Sequence, residues 1–390
     1  MKKLLSIVLS LVMIAGMFSF STPAYALDVD KSSATDLYIA TKSCPNEYIE
    51  YAKANIQDFI MSVDPSTLPD GKMISVGSPF CFANSDSDIF YFPVLFDNEI
   101  AYMLRVFPKA TGGYGGVLGK SFVKELNSLA SKTTPSTPLT IMMEGDCVVS
   151  YISGKRYVIL EYPDGSVNCD TAMSVQSFTA SLSEKDSQFE IVNAFAKDTS
   201  VNYAKSVDLI KSLFLTSSET ATRDSNIPAY KYLSTSITET QGGESWCAAY
   251  ATAMIVRFVK GNNDDTEAVD VMNYHFDNPS ASDAIGEAEV VEYANSRSLR
   301  PTHVKYTLSD SSLMSEVASE SPVYLRMYRV SGTDKIYHAV VLRGYSTYTD
   351  KWSIWNPWYD DYDSFDMGGT YVPAEHSSRE YTYCHTIYNW

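Results

Sequence analysis

The sequence predicts an α+β protein with two folded regions in a single chain of 390 residues. Three observations favour this fold class. Helix-like and strand-like patterns occur on both sides of residues 217–227, a polar segment that has no periodicity of its own. The strand-like runs are short and separated by turn residues, as antiparallel sheets require. Apolar and aromatic contents of 45% and 13% are ample for packed cores in both regions.

Residues 1–26 have the three parts of a secretory signal peptide. Lys2 and Lys3 precede the apolar run 4–20, and Ala24-Tyr25-Ala26 supplies the small residues of a cleavage site. No other stretch reaches the ~20 apolar residues of a membrane span. We therefore expect an exported protein that is cut after Ala26 and has no membrane partner.

Charge and cysteine usage exclude some classes of partner. The net charge of −17 argues against nucleic acid and anionic membrane surfaces. No Cys-x-x-Cys or histidine-rich spacing is present, so we expect neither a metal nor a cofactor. Four cysteines precede residue 200, and their three possible pairings stay open: Cys44, Cys81, Cys147 and Cys169. Cys247 and Cys384 follow in the second region.

For the first folded region, residues 27–220, the sequence predicts one helix packed against a curled antiparallel sheet. A helical pattern covers residues 46–61, and two strands, 89–96 and 100–107, flank the short turn Asp97-Asn98-Glu99. Further along we expect a flexible glycine loop, a short helix and three strands, at 112–116, 121–129, 139–143, 148–152 and 157–162. The region contains no histidine and no catalytic constellation.

The second region, residues 221–390, follows the segment 217–227, which we interpret as an exposed linker. It holds all five histidines. Helices are expected from Cys247 onward and at 264–274, 283–294 and 308–318, and strands at 322–330, 336–345, 351–355 and 381–388. A helical first half and an antiparallel second half predict two lobes with a cleft between them.

Cys247 is the candidate nucleophile. It follows Gln-Gly-Gly-Glu-Ser-Trp (241–246) and begins an apolar helical run. Unpaired N–H groups and the positive end of the helix dipole favour a thiolate at that position. The amide of Gln241 can turn back toward the same point to complete an oxyanion hole. The alternative is an ordinary buried cysteine, the commoner state of a free thiol.

His338 and Asn356 are the candidate base and its orienting partner. His338 lies near the start of a strand that Gly344 closes, and Asn356 follows the next strand. A hairpin would bring Asn356 beside the imidazole and fix its tautomer, with Trp358 shielding the bond from water. The alternatives are a structural histidine and an ordinary Asn-Pro turn. The remaining histidines (275, 303, 376 and 385) and the turn-like aspartates (350, 360 and 361) are weaker candidates.

Together these motifs resemble the papain-like cysteine peptidases over residues 227–390. The elements are Gln241 five residues before Trp246-Cys247, His338-Ala339-Val340 and Asn356-Pro357-Trp358, and they are most similar to the staphopain branch of Gram-positive bacteria. The resemblance implies Cys247 as nucleophile, His338 as general base and then acid, Asn356 as orienting residue, and Gln241 with the Cys247 N–H as oxyanion hole. The second cysteine of the plant-type pattern is missing at 243–245.

The resemblance also implies how the chain is organised. We expect a two-lobed papain-like domain at 221–390, preceded by an inhibitory prodomain of half-barrel (cystatin-like) type at 27–220, removed by a cut in the linker. Protein or peptide substrates and the chain's own prodomain are the expected partners of a monomeric, secreted enzyme. Candidate substrate-binding residues are Gly243, Trp246, Tyr337 and Trp358.

Two rival functions stay open. One is a Cys–His processing peptidase or acyl transferase with narrow substrate choice. The other is a catalytically silent papain-like fold that serves as a surface-binding module.

Overall fold

One antiparallel sheet runs through both halves of the chain. The computed structural model describes residues 36–84, 89–144, 147–161, 189–220, 227–242, 244–261, 264–369, 371 and 380–390. The predicted signal peptide lies outside these residues. No helix among them is both long and apolar enough to cross a membrane.

Mixed α+β structure with a large antiparallel sheet confirms the α+β part of the predicted fold class. The helices are α1 (Asn46–Ile60), α2 (Val123–Leu129), α3 (Val207–Thr220), α4 (Cys247–Lys260), α5 (Ala268–His275), α6 (Glu287–Ser296) and α7 (Asp310–Ala318). The strands are β1 (Tyr38–Lys42), β2 (Met73–Val76), β3 (Phe90–Phe96), β4 (Glu99–Pro108), β5 (Tyr114–Gly119), β6 (Thr140–Glu144), β7 (Cys147–Ile152), β8 (Lys155–Glu161), β9 (Phe189–Asn193), β10 (Ala204–Ser206), β11 (Tyr230–Tyr232), β12 (Thr302–Val304), β13 (Val323–Ser331), β14 (Asp334–Ser346), β15 (Lys351–Trp355), β16 (Tyr362–Asp366) and β17 (Thr382–Tyr388).

The large sheet has twelve strands, in the order β10-β2-β3-β4-β5-β16-β15-β14-β13-β17-β12, with β11 paired to β14. The N-terminal and C-terminal regions meet at β5 and β16, where Val117 pairs with Phe365 and Leu118 with Ser364. Two small sheets, β1-β9 and β6-β7-β8, lie apart from it. The two regions therefore share backbone hydrogen bonds instead of touching only through side chains.

Each region has its own core on this sheet. In the N-terminal region, α1 turns a buried stripe that includes Ala52, Ile56 and Phe59 toward strand residues such as Leu104. In the C-terminal region, α4 is buried from Ala248 to Val256 because almost every residue there is apolar. It packs with α5 and α6 against β13 and β14. The buried setting of α4 fixes the position of its first residue, Cys247.

The glycine-rich stretch predicted as a loop is a strand instead. Of residues 112–116, Gly112 and Gly113 lie in the turn, with φ of +91° and +75°, and the other three begin β5. A Cβ on Gly116 would lie 2.7 Å from the Phe59 ring, and one on Gly119 would lie 1.9 Å from the Asp363 carboxylate. Glycine here permits close packing, which local sequence does not distinguish from flexibility.

The predicted linker is also shorter than expected. Helix α3 continues through Thr220, so residues 217–220 are helical, and residues 221–226 lie outside the described part of the chain. Helices α5 and α6 start four residues later than predicted. Asp270 and Glu289 set these starts, since their carboxylates accept from the N–H groups of Glu267 and Gly286.

The junction of the two regions is charged. Arg105 of β4 and Asp363 of β16 form an ion pair at 3.0 Å, and their side chains are only 1% and 2% exposed. Lys109 and Lys120 add pairs to Asp366 and Asp361 at 3.5 and 3.3 Å. Asp361 was expected to be a solvated turn residue, but it is largely buried beside Lys120, and burial raises its pKa. Basic side chains of one region thus face the acidic strand of the other.

The packing of Gly119 gives a test of this junction. A methyl group there would displace the Asp363 carboxylate from Arg105, so Gly119→Ala should lower the free energy of unfolding by at least about 3 kcal/mol. Gly113→Ala is the matched control. It meets no neighbouring atom but has positive φ, so it should cost about 1 kcal/mol. Urea unfolding measures both, and equal losses would contradict the assigned packing.

Candidate active site

Cys247 is the first residue of α4, and it opens onto a cleft that His338 also lines. The loop before it is held by two bonds to neighbouring backbone. The Ser245 N–H donates to the Ala281 carbonyl at 2.7 Å, and Trp246 Nε1 donates to the Ser280 carbonyl at 3.0 Å. The sulfur is therefore presented at a helix N-terminus, next to backbone N–H groups that have no partner within the helix.

The structure brings His338 and Asn356 together. His338 lies on β14, is 2% exposed, and its Nε2 lies 2.8 Å from Oδ1 of Asn356. Strand β15 pairs with β14, with Trp355 opposite Val341, so the residue after β15 falls beside the imidazole. The hairpin predicted from the sequence produces this contact.

The surrounding hydrogen bonds fix the tautomer of His338. Asn356 Nδ2 donates to the Tyr371 hydroxyl at 3.0 Å, and the Trp358 N–H donates to Asn356 Oδ1 at 3.1 Å. The amide oxygen must therefore face the imidazole, and Nε2 carries the proton that it accepts. Nδ1 is then the nitrogen without a proton, so it is the one that can accept a proton, as a general base for a thiol must.

Aromatic rings enclose the imidazole. Trp358 stacks on His338 with ring centroids 4.1 Å apart and an angle of 25° between the planes. Tyr381 lies 5.6 Å away on a tilted plane. Both rings also line the cleft, so Trp358 lies where it can keep water from the His338–Asn356 bond.

Gln241 lines the same cleft, and both its backbone and its side chain are hydrogen-bonded. Its backbone N–H donates to the Pro357 carbonyl at 2.8 Å, which ties it to the loop of Asn356. Its side-chain Nε2 donates to the Glu244 carbonyl, which leaves one of its two protons for another acceptor. Glu244, which no sequence pattern singled out, also accepts from the Gly242 N–H at 2.9 Å and the Tyr250 hydroxyl at 2.6 Å.

Protonation of the pair differs from the sequence-based expectation. Burial raises the pKa of the Cys247 thiol, although the backbone N–H groups of Ala339, Ala248 and Cys247 itself pull it down. Burial likewise lowers the pKa of His338 to about 4, opposed by its bond to Asn356. The thiolate expected from the helix N-terminus is therefore wrong for the resting site, because desolvation outweighs the helix end. At neutral pH the cleft is therefore lined by a thiol and a neutral imidazole.

The candidate substrate-binding residues fall in different places. Tyr337 and Trp358 line the cleft, and Tyr337 is 42% exposed. Trp246 is not among the lining residues; it packs against the core beneath α4. Gly243 lies outside the described residues.

Two arginines, which the sequence did not single out, also line the cleft. Arg326 is paired with Glu287 and stacks over the Tyr337 ring at 4.1 Å. Arg329 donates to the Tyr381 hydroxyl at 3.3 Å. No local pattern distinguishes them from the chain's other arginines, because only the pairing of β13 with its neighbours turns them toward the cleft.

Cysteines and histidines outside the cleft have other roles. Cys44, Cys81 and Cys384 are free thiols, as Cys247 is, and Cys147 is in a disulfide. His376 lies outside the described residues. Among those described, Glu287, His303 and His385 offer ligand atoms within 4.8 Å of one another. The Glu287 carboxylate is already bonded to His385 Nδ1 at 2.5 Å and to Arg326.

The lowered pKa of His338 predicts the acid limit of activity. Protonation removes the base, so the acid limb of kcat/KM should have its midpoint near pH 4 instead of near the 6.5 of a free histidine. Trp358→Ala opens the imidazole to water, which should move this midpoint upward toward 6.5. Between pH 4 and 6.5 His338 is protonated in the unfolded chain but not in the folded protein, so the free energy of unfolding also decreases as the pH falls. Circular dichroism at each pH separates the two effects, and a wild-type midpoint above 6 would contradict the prediction.

Comparison with known families gives a match in the C-terminal region, which contains the candidate site. Residues 224–382 match the model of the Peptidase_C39 like family, within the papain-like cysteine peptidase superfamily. A search of the curated proteins finds no match to the chain. Cys247, His338, Asn356 and Gln241 all lie inside the matched segment, which is a C39-like cysteine peptidase domain that hydrolyses peptide bonds by a Cys/His mechanism. The match is to this family and not to the staphopain branch, and it does not reach residues 27–220.

Proposed function

We propose that the C39-like domain is a cysteine endopeptidase in which Cys247 is the nucleophile, His338 the base, Asn356 the orienting residue and Gln241 part of the oxyanion hole. The observation that carries this proposal is the 2.8 Å bond from His338 Nε2 to Asn356 Oδ1, in the wall of the cleft onto which Cys247 opens. This bond leaves Nδ1 of His338 as the acceptor for the thiol proton.

Acylation begins from the neutral pair. As the Cys247 sulfur attacks the peptide carbonyl carbon, its proton passes to Nδ1 of His338 and a C–S bond forms. The carbonyl oxygen becomes an anion, which accepts from the spare Nε2 proton of Gln241 and from the backbone N–H of Cys247. The imidazolium then gives its proton to the amide nitrogen, the C–N bond breaks, and the amine leaves.

Deacylation repeats the sequence with water. His338 takes a proton from water as the oxygen attacks the thioester carbon, and the same two donors hold the second oxyanion. The C–S bond breaks, the acid product leaves, and the proton returns to the sulfur. Asn356 keeps the imidazole in one orientation through both steps.

Two substitutions test these roles. Cys247→Ala should abolish peptidase activity, and Gln241→Ala should lower kcat by ~10²–10³ because one oxyanion donor is lost. Cys44→Ala and Gln57→Ala, in the N-terminal region, are the matched controls and should keep wild-type rates. Peptide hydrolysis that survives Cys247→Ala would end the proposal.

Thiol labelling separates an active enzyme from a silent papain-like module. An epoxysuccinyl inhibitor should modify a single cysteine, and the His338→Ala variant should resist it. Casein cleavage then distinguishes a general endopeptidase from a narrow processing peptidase or acyl transferase, which would leave casein intact.

Export and processing are part of the proposal, supported by sequence patterns. The leader at residues 1–26 supports secretion, and the staphopain resemblance supports a precursor in which residues 27–220 restrain the enzyme. A cut between residues 217 and 227 should raise the peptidase activity of the purified full-length protein. Equal activity before and after the cut would reject the restraint.

A further inference from the structure

A continuous set of buried contacts connects the N-terminal region to the catalytic histidine. Arg105 Nη2 lies 3.0 Å from Asp363 Oδ1, and the Tyr371 hydroxyl donates to Asp363 Oδ2 at 2.5 Å. Tyr371 accepts from Asn356 Nδ2 at 3.0 Å, and Asn356 accepts from His338 Nε2 at 2.8 Å. All five side chains are buried. Only Arg105 comes from the N-terminal region.

We propose that Arg105 is a positioning residue for His338, and that the N-terminal region is consequently a lasting part of the active enzyme. A cut in the linker would then leave the two pieces joined through β5 and β16. This inference rests on the proposed peptidase function, and it concerns the support of that site.

The direction of the Tyr371 hydrogen bond depends on the charge at Asp363, and the Trp358 N–H turns the Asn356 oxygen to the same side. An ionised carboxylate can only accept, so the single Tyr371 proton points at it, and the Tyr371 oxygen is left to accept from Asn356. Asn356 must then turn its oxygen to His338. A carboxylate buried without its cation moves toward water, and Tyr371 then loses the acceptor that sets the direction of its hydroxyl. Arg105 therefore favours the arrangement in which His338, Asn356 and Tyr371 each donate toward the Asp363 carboxylate.

Arg105 has no obvious second role in the described structure. Its remaining guanidinium N–H groups find no hydrogen-bond acceptor among the described residues. Burying such a cation is costly unless it is well paired. Asp363 also holds its pKa well above the ordinary range of arginine, against the effect of burial. The ion pair is thus the contact that accounts for an arginine at this position.

The junction itself resists separation. The acidic strand β16 pairs with β5 and meets Lys109 and Lys120, and the Ser364 hydroxyl donates to the Ser62 carbonyl at 3.3 Å. Release of the N-terminal region would expose an unpaired strand edge and leave Asp363 without its cation. Arg105 reaches the path to His338 through β16, and none of the described residues of 36–220 lines the cleft.

The first experiment removes the charge and keeps the shape. Arg105→Met should lower kcat about tenfold, within the range of indirect couplings, with KM changed less than twofold. Arg105→Lys should restore part of the loss. Lys109→Met, which removes a half-exposed charge from the same junction, is the matched control and should keep the wild-type kcat.

A second variant covers the case in which Arg105→Met does not fold. Tyr371→Phe keeps Arg105 and Asp363 and removes only the hydroxyl between Asp363 and Asn356. It should also lower kcat, and the melting temperature should fall moderately because two buried polar groups lose a partner. Folded Arg105→Met or Tyr371→Phe protein with the wild-type kcat would overturn the inference.

The third experiment follows the pieces after cleavage. A specific protease site placed at residues 221–226 is cut, and the product is run on a native sizing column. The two pieces should elute together, and peptidase activity should follow the joined peak. A separated C-terminal piece with the full kcat would overturn the inference.

Thiol alkylation keeps this inference distinct from the proposed function. The rate at which iodoacetamide modifies Cys247 reports the arrangement of His338 without any peptide substrate. If wild-type protein cleaves no peptide, the proposed function fails, but Arg105→Met and Tyr371→Phe should still alter the pH profile of alkylation relative to Lys109→Met. An unchanged profile in both variants would overturn the positioning role.

Discussion

The buried ion pair between Arg105 and Asp363 is the constraint around which the two halves of this protein are arranged. Two charges at 1% and 2% exposure are stable only when each has its partner. The pair therefore requires β5 and β16 to keep one register, and it requires a residue without a side chain at Gly119, where any Cβ would meet the Asp363 carboxylate. One electrostatic contact thus connects the continuity of the sheet and the close packing at Gly119 with the proposed support of His338.

The candidate site combines a rigid frame with an uncharged resting state. Cys247 is fixed by a buried helix and His338 by a central strand, so the distance between the sulfur and the imidazole depends on how helix and sheet pack. Burial keeps both groups neutral, since it raises the thiol pKa and lowers the imidazole pKa to about 4. Proton transfer is then coupled to attack on the substrate, and a permanent ion pair in the cleft is not needed.

The N-terminal region fits two roles that are not exclusive. The resemblance to staphopains suggests that the N-terminal region restrains the enzyme as a precursor segment. The buried contacts from Arg105 to His338 suggest instead that this region supports the candidate site. A segment that holds the histidine in place can also hold it out of place if the junction shifts. The supporting role depends on the pairing of β5 with β16.

Most residues of the candidate site could be predicted from the sequence because the patterns that mark them are local. An apolar run beginning at Cys247 predicts a buried helix, and two strand patterns with a turn between them predict that Asn356 reaches His338. The order of these residues sufficed to suggest a papain-like peptidase, and the family match at residues 224–382 agrees at that level. Helix starts were off by four residues, because side-chain caps and not the apolar pattern decide where a helix begins.

What only the tertiary structure decided depends on residues far apart in the chain. Glycines at 115 and 116 look the same in a loop and in a close-packed strand, and only the neighbours Phe107 and Phe59 distinguish the two. Nothing near Asp363 indicates that Arg105 neutralises it, or that Tyr371 passes its effect to Asn356. The sequence by itself was enough to predict which side chains make up the candidate site, because helix and strand periodicity are local properties. Their protonation and their support came from burial and charge pairing, which exist only once distant segments have packed together.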